Sequence, residues 1–343
     1  MKIIVDGFGG DNAPEEIVRG IVKAINENEG FSIIVTGKQE ILDKEFALYT
    51  YDKSRVEIIN CTEVITNDDV PTSAIRSKSD SSLAVALKRL KEDDEVSGLV
   101  SAGSTGAVLA GGLLKVGRIK GISRPALCPV LPTLIDGKNA LLIDCGANVD
   151  CKPINLCHFA IMGSSYASAA FGVKNPKVAL LSNGTEDKKG NDLNHQTFPM
   201  LKSMGCINFT GNIEAREILS GEVDVVVTDG FAGNIALKGL EGAINSVLKM
   251  IKKGIMSSFF GKIGGLFLKP VFKDLKNKLD YNNNGGAVFI GLEKIIVKSH
   301  GSSKEQSIAC SIMQVKAVAE HNLIENIKNK LQSVDLSEFS KEQ

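Results

Sequence analysis

The run Val223 to Lys238, VDVVVTDGFAGNIALK, constrains the fold more than any other stretch, because a buried strand, a glycine turn and a helix start follow one another directly. Val225, Val226 and Val227 form a continuous β-branched run, the pattern of a parallel strand covered on both faces. Asp229 stands at its carboxyl tip. Gly230 and Gly233 allow a sharp turn and a close approach to a ligand. Asn234 reads as the N-cap of a helix whose inner stripe is Ile235, Leu240, Ile244, Val247 and Ile251. Free N–H groups and the positive end of a helix dipole would then face a crevice above the sheet, which suits an anion and phosphate first.

The same alternation runs through the chain. Lys2 to Asp6 is expected to be a strand, with Asp11 or Asn12 capping a helix that has Pro14, Glu15 and Glu16 in its first turn. Its inner face would be Ile17, Ile21, Val22 and Ile25. Further strands are expected at Phe31 to Thr36, Arg55 to Asn60, Leu99 to Ala102, Leu141 to Asp144 and Lys177 to Ser182. A small-residue helix, Ala107 to Leu114, follows the turn Gly103-Ser104-Thr105-Gly106, and one long helix covers Ile308 to Leu331. Gly117 to Pro132, with Arg118, Lys120 and Arg124 among glycines and prolines, reads as a basic connection and not as the interior of an element. Strands alternating with helices predict an α/β fold: a mostly parallel sheet with helices on both faces, Rossmann-like, in a single catalytic unit over residues 1–343 with room for two lobes around a cleft. Asp6, Asp144 and Asp229 each end a strand beside glycine, and such loops at carboxyl strand ends are expected to converge on one cleft.

Residues 249–278 break the pattern. Ile251, Ile255, Phe259, Ile263, Phe267 and Phe272 fall near helical spacing, and Phe260, Leu266 and Leu268 widen the apolar side. Lysines from Lys252 to Lys278, Lys276 among them, face a single acid, Asp274. Gly261, Gly264, Gly265 and Pro270 would break a plain core helix, and the apolar runs are too short to span a bilayer. The stretch predicts an amphipathic helical hairpin projecting from the body, either dipping into a membrane interface or packing a dimer.

Acidic and basic residues balance at 40 each, so no global field grips nucleic acid, and without Trp and with four Tyr there is no stacking platform. A strand that starts at Lys2 leaves no room for a leader, so a cytoplasmic location is expected. Seven Cys without paired C-x-x-C spacing oppose a disulfide framework, and the interval of Cys145, Cys151 and Cys157 before His158 fits no metal site. The chain lacks GxGxxG, and its second strand ends in Thr36-Gly37 without a ribose-binding acid. It also lacks GxxxxGK[ST] and HExxH, and Gly163-Ser164-Ser165-Tyr166-Ala167 fails as a nucleophile elbow at its last position. What remains is a cleft of N–H groups, carboxamides and a lysine, with no evident protein nucleophile and no cofactor. Such a site fits phosphate attacking a thioester, since phosphate carries its own nucleophile and a thiolate leaves without a strong acid. Lys189 could offset phosphate charge, and Asn234 could donate to an oxyanion.

The ordered stretches GGDNAP at Gly9 to Pro14, SAGSTGA at Ser101 to Ala107, GRIKGISRPA at Gly117 to Ala126 and DCGANVDCKP at Asp144 to Pro153 carry a resemblance over nearly the whole chain. GTEDKKGN at Gly184 to Asn191, TGNIEAR at Thr210 to Arg216, DGFAGNIALK at Asp229 to Lys238, GGA at Gly285 to Ala287 and HGSS at His300 to Ser303 extend it. The chain resembles the bacterial phosphate acyltransferases of phospholipid synthesis, the acyl-[acyl-carrier-protein]:phosphate acyltransferases. The resemblance implies transfer of a long-chain acyl group from acyl carrier protein to inorganic phosphate, without a covalent acyl-enzyme. The acyl phosphate would pass to a glycerol-3-phosphate acyltransferase. It further implies a homodimer similar in fold to phosphotransacetylases and isopropylmalate dehydrogenases, associated peripherally with the inner face of the cell membrane. By position, the family's catalytic residues fall on Lys189, Asn234 and Asp229, and substrate binding on Thr105, Gly106, Asn148, Thr185, Glu186, Gly190 and Gly233. From the hairpin's own apolar pattern, membrane docking is expected at Phe259, Phe260, Ile263, Leu266 and Phe267. Two motifs depart from the family pattern: the usual DAMGGD is Asp6-Gly7-Phe8-Gly9-Gly10-Asp11, and the usual SAGNTGA has Ser104 for Asn, a shorter donor that predicts an altered phosphate affinity. A phosphotransacetylase-like enzyme using acyl coenzyme A, and a non-catalytic membrane-docked scaffold holding partners through the hairpin and Arg118, Lys120 and Arg124, are the competing readings.

Overall fold

Short runs of Val, Ile and Leu between glycine- and proline-bearing turns become strands, and the amphipathic segments between them become helices. The computed structural model describes residues 1–279 and 285–334. The strands are β1 (Lys2–Asp6), β2 (Ser32–Gly37), β3 (Val56–Asn60), β4 (Val96–Ser101), β5 (Ala126–Cys128), β6 (Val130–Pro132), β7 (Asn139–Ile143), β8 (Lys177–Ser182), β9 (Asn208–Glu214), β10 (Val225–Val227), β11 (Ala287–Ile290) and β12 (Ile295–Lys298). The helices are α1 (Glu15–Glu27), α2 (Gln39–Phe46), α3 (Pro71–Ser77), α4 (Ser82–Glu92), α5 (Thr105–Gly111), α6 (Pro153–Phe171), α7 (Asp192–Ser203), α8 (Gly230–Met256), α9 (Phe259–Leu279), α10 (Glu305–Glu320) and α11 (Leu323–Gln332).

The expected single sheet is two. One has the order β3-β2-β1-β4-β12-β11-β5 and the other β6-β7-β10-β8-β9. Pairing is parallel except where β11 runs against β12 and β5, and where β6 runs against β7. Pro129 alone separates β5 from β6. Across this junction the Cys145 N–H donates to the Leu127 carbonyl at 2.9 Å and the Leu142 N–H to the Pro129 carbonyl at 3.4 Å. One apolar core therefore passes through both sheets: Ile3, Val35 and Val100 of the first meet Leu141, Val178 and Val225 of the second through Phe159, Met162 and Tyr166 of α6 and Ile312 and Val315 of α10. Helix α6 is apolar all round and almost wholly buried, as a helix between two layers must be.

Several expectations change with the tertiary context. The basic connection holds Arg118, Lys120 and Arg124 outside regular structure, but its end forms β5 and β6, whose residues find partners on β11 and β7. The tail is two helices, broken where Asn322 adopts a left-handed backbone (φ 52°). Neither Asp11 nor Asn12 caps α1; the Asn12 amide instead donates to the carbonyls of Ser302 (3.1 Å) and Ser303 (3.3 Å). The cap of α8 is Asp229, not Asn234, so Asn234 lies in the second turn. Of the stripe assigned to the inside of α8, Ile235 (56%), Val247 (53%) and Ile251 are exposed while Leu240 is partly buried against the core, and Leu237 is the helix's one deeply buried large apolar side chain. The reason is that α8 outruns the body and continues into a hairpin with α9.

That hairpin forms over the predicted stretch, with its turn at Ser257 and Ser258, and α9 passes through Gly261, Gly264, Gly265 and Pro270 without ending. Gly265 lets α9 approach α8, since a Cβ there would lie 2.6 Å from Ile255 Cγ2. The side chains of Asp274 and Lys276, counted in the predicted charge, lie outside those described. No described helix is long and apolar enough to cross a membrane.

Candidate functional site

The start of α8 is seated on the loop after β7. Asp144 is fully buried there, and its carboxylate accepts four N–H bonds: Leu127 (2.8 Å) and Ala147 (3.1 Å) on Oδ1, and the Asn148 main chain (2.7 Å) and side chain (2.9 Å) on Oδ2. This network folds residues 144–148 into a tight turn. Gly230 and Gly233 then lie flat against it. A Cβ on Gly233 would fall on the Asp144 carbonyl, and one on Gly230 would come within 2.7 Å of Asp144 Oδ2. The close approach expected of these glycines is thus to the protein's own loop. Asp229 Oδ1 accepts the N–H groups of Phe231 (2.9 Å) and Ala232 (2.8 Å), which satisfies two of the free donors at the helix start.

The first turns of α8 form a wall between two clefts, and helical spacing decides which side chain serves which. Phe231, Ala232, Ile235 and Ala236 face an outer cleft of about 630 Å³ at the carboxyl ends of β8 and β10, also lined by Leu180, Leu181, Ser182, Gly190, Asn191 and Asp229. The Ser182 hydroxyl is buried there without a protein partner among the described residues. Asn234, Leu237, Lys238 and Glu241 face an inner cleft of about 230 Å³ between the two sheets, whose other walls include Thr105, Cys145, Gly146, Lys298 and His300. Gly146, in a left-handed conformation (φ 114°), packs directly beside the Asn234 side chain.

The predicted site residues therefore do not converge on one cleft. Thr105 and Asn234 share the inner one, and Gly190 and Asp229 the outer one. Lys189, Thr185 and Glu186 are exposed on the loop between β8 and α7, where the Lys189 stem lies over Gly184 and its N–H donates to the Glu186 carbonyl at 3.0 Å. Gly106 abuts Pro71 and Gly233 abuts Asp144, while the Asn148 amide donates to Pro125 O (2.8 Å) and Asp144, so these three meet protein neighbours. Phe259, Phe260, Ile263, Leu266 and Phe267 lie on the first half of α9, from the hairpin turn onward, all exposed.

Sequence reasoning missed Lys298 and His300 as site residues, although HGSS was visible as a motif. Lys298 ends β12 and is only 8% exposed; its ammonium donates to the carbonyls of Ala102 (3.3 Å) and Ser299. Burial lowers its pKa to about 8, opposed by Asp11 and Asp6. His300 Nδ1 accepts the Ser302 N–H at 3.2 Å, and burial, Lys298 and Lys238 lower its pKa below the ordinary value. The signal that could have found them is a lysine closing an otherwise apolar strand, Ile295-Ile296-Val297-Lys298. The thiols nearby are poor nucleophiles: burial pushes Cys145 in the inner cleft well up and Cys151, beside Asp229, to about 11.

A family model described as fatty acid synthesis protein matches residues 1–326. A phosphate acyltransferase from Clostridium tetani is 48% identical over 337 residues, covering 98% of this chain and 99% of its own length. One from Alkaliphilus oremlandii is 45% identical and covers 99% of this chain and 100% of its own. Among solved structures, phosphotransacetylases from Streptococcus pyogenes (TM-score 0.61, 18% identity, 93% and 94% of the two chains) and Staphylococcus aureus (TM-score 0.60, 17% identity, 94% of each) share the fold.

Proposed function

The chain belongs to the phosphate acyltransferase family, and we propose that it takes a long-chain fatty acyl group from acyl-[acyl-carrier-protein] and delivers it to inorganic phosphate, giving acyl phosphate for glycerol-3-phosphate acylation. A phosphate oxygen attacks the thioester carbonyl carbon and the carbonyl becomes an oxyanion. As that intermediate collapses, the C–S bond breaks and the thiolate leaves on the carrier. Asn234 donates to the oxyanion and Lys189 adds positive charge from the exposed loop on the outer-cleft side, with Asp229, Thr105, Thr185, Glu186 and Gly190 shaping their surroundings. One observation supports direct attack: the thiols at the site, Cys145 on the inner cleft and Cys151 beside Asp229, stay protonated at neutral pH and are poor nucleophiles. Phosphate supplies the nucleophile, and the protein positions it and stabilises the oxyanion.

The test is incubation with long-chain acyl carrier protein and phosphate, followed by assay of acyl phosphate. Product is expected, and none under conditions where a known relative works would oppose the reading. Lys189→Ala and Asn234→Ala are each expected to lower kcat by roughly 10- to 1,000-fold with an unchanged melting temperature. Unchanged rates in both would remove the residue roles and leave the function. Running acyl coenzyme A beside the carrier-bound donor separates this enzyme from a phosphotransacetylase-like one. The same reading includes a homodimer, and docking of the α8–α9 hairpin on the membrane surface through Phe259, Phe260, Ile263, Leu266 and Phe267.

A further inference from the structure

We propose that the inner cleft between the two sheets is the phosphate seat, gripped by the Lys298 ammonium and the Nε2–H of His300 beside Asn234. The inference rests on the acyl-transfer reading and assigns its acceptor a place.

Three observations lead to it. First, Lys298 is a buried cation on a cleft wall. An ammonium has three donors; two go to the carbonyls of Ala102 and Ser299, and the third has no protein acceptor among the described residues. Lysine is almost never buried without a partner of opposite charge, and none of the cleft-lining residues bonds to it as an acid. Second, His300 is held as a donor. Its Nδ1 accepts the Ser302 N–H at 3.2 Å, so the ring proton is assigned to Nε2, and partial burial, then the neighbouring Lys298 and Lys238, lower its pKa below the ordinary value. Third, the local charge is positive. The cleft is lined by Lys298 and Lys238 against one acid, Glu241, which pairs with Lys238 at 2.9 Å. Asp6 and Asp11 do not line the cleft; they favour the charged form of Lys298 against the cost of its burial.

The surrounding loops hold these donors in place without a ligand. The Asp11 N–H donates to the Gly301 carbonyl at 2.8 Å, and Asn12 binds the carbonyls of Ser302 and Ser303, so the loop after β12 is fixed by the loop after β1. A fixed donor set of this kind suits a tetrahedral oxyanion and needs no reorganisation when it binds.

The experiment measures phosphate binding apart from turnover. Inorganic phosphate is titrated calorimetrically into the full-length protein without acyl donor, for the wild type, Lys298→Met and His300→Ala. In parallel, Lys298 is labelled with acetic anhydride with and without phosphate, and read by peptide mass spectrometry. Binding about tenfold or more weaker in each variant is expected, together with protection of Lys298 by phosphate. In turnover the phosphate KM should rise by a similar factor while the KM for the acyl donor stays put. Wild-type affinity in His300→Ala together with labelling of Lys298 indifferent to phosphate would overturn the assignment, and that result does not require Lys298→Met to fold. Acyl phosphate formed at the normal rate alongside such a result would leave the activity standing and only the seat refuted.

Discussion

His158 is buried on α6, where its Nδ1 is hydrogen-bonded to the Ser123 hydroxyl at 3.0 Å, and that hydroxyl accepts from the Asn155 amide at 2.6 Å. Burial lowers its pKa from 6.5 to about 4, so the folded protein holds the ring neutral where the unfolded chain binds a proton. Its contribution to stability is complete above pH 6.5 and is lost as pH falls toward 4, about 3 kcal/mol across the interval. Urea midpoints measured from pH 7 to 4 should fall less steeply in His158→Gln than in the wild type; parallel curves would show that the ring does not govern the acid limb. At this scale the sequence showed which residue types matter more readily than why. Gly230 and Gly233 stood out at once, but their reason is Asp144, a side chain more than eighty positions earlier that folds the loop they rest on. Asn234 was visible as a polar residue at a helix start, while its distance from the cap depends on Asp229 outcompeting it for the free N–H groups.

Among the elements, the α8–α9 hairpin differs most from its surroundings. Phe259 at 73% and Phe260 at 84% exposure stand at the hairpin turn and Phe267 at 78% follows two turns along α9, with lysines along both helices. Apolar side chains left in water at a basic tip are the pattern of an interfacial anchor. The double variant Phe259→Glu, Phe260→Glu is expected to lose sedimentation with anionic vesicles and to keep turnover with soluble substrates; retained vesicle binding would contradict membrane docking. The hairpin's existence followed from its composition, but its glycines misled, because in α9 Gly261 and Gly265 permit contact with α8 and none of them ends the helix. The outward turn of the α8 stripe was equally hidden, since periodicity shows that one face is apolar and not what stands opposite it.

Over the whole molecule, the apolar core common to both sheets makes independent lobes an unfavourable division. Separating the sheets would expose the leucines and valines that α6 and α10 cover, and would break the bonds across Pro129. One cooperative transition is expected, with near- and far-ultraviolet dichroism coinciding on heating; two resolved transitions would show that the lobes unfold separately. The sequence by itself determined the α/β class, the places of β1, β8 and β10 to the residue, and the family, because these rest on local runs, turn residues and ordered motifs. Only the tertiary structure decided that the strands divide into two sheets and that the carboxyl edges open on opposite sides of α8. It also decided that Lys298 and His300 line the same cleft as Asn234. Those facts depend on strand order and on how one helix sits on a distant loop, and contacts between residues so far apart in the chain leave no periodicity to be read.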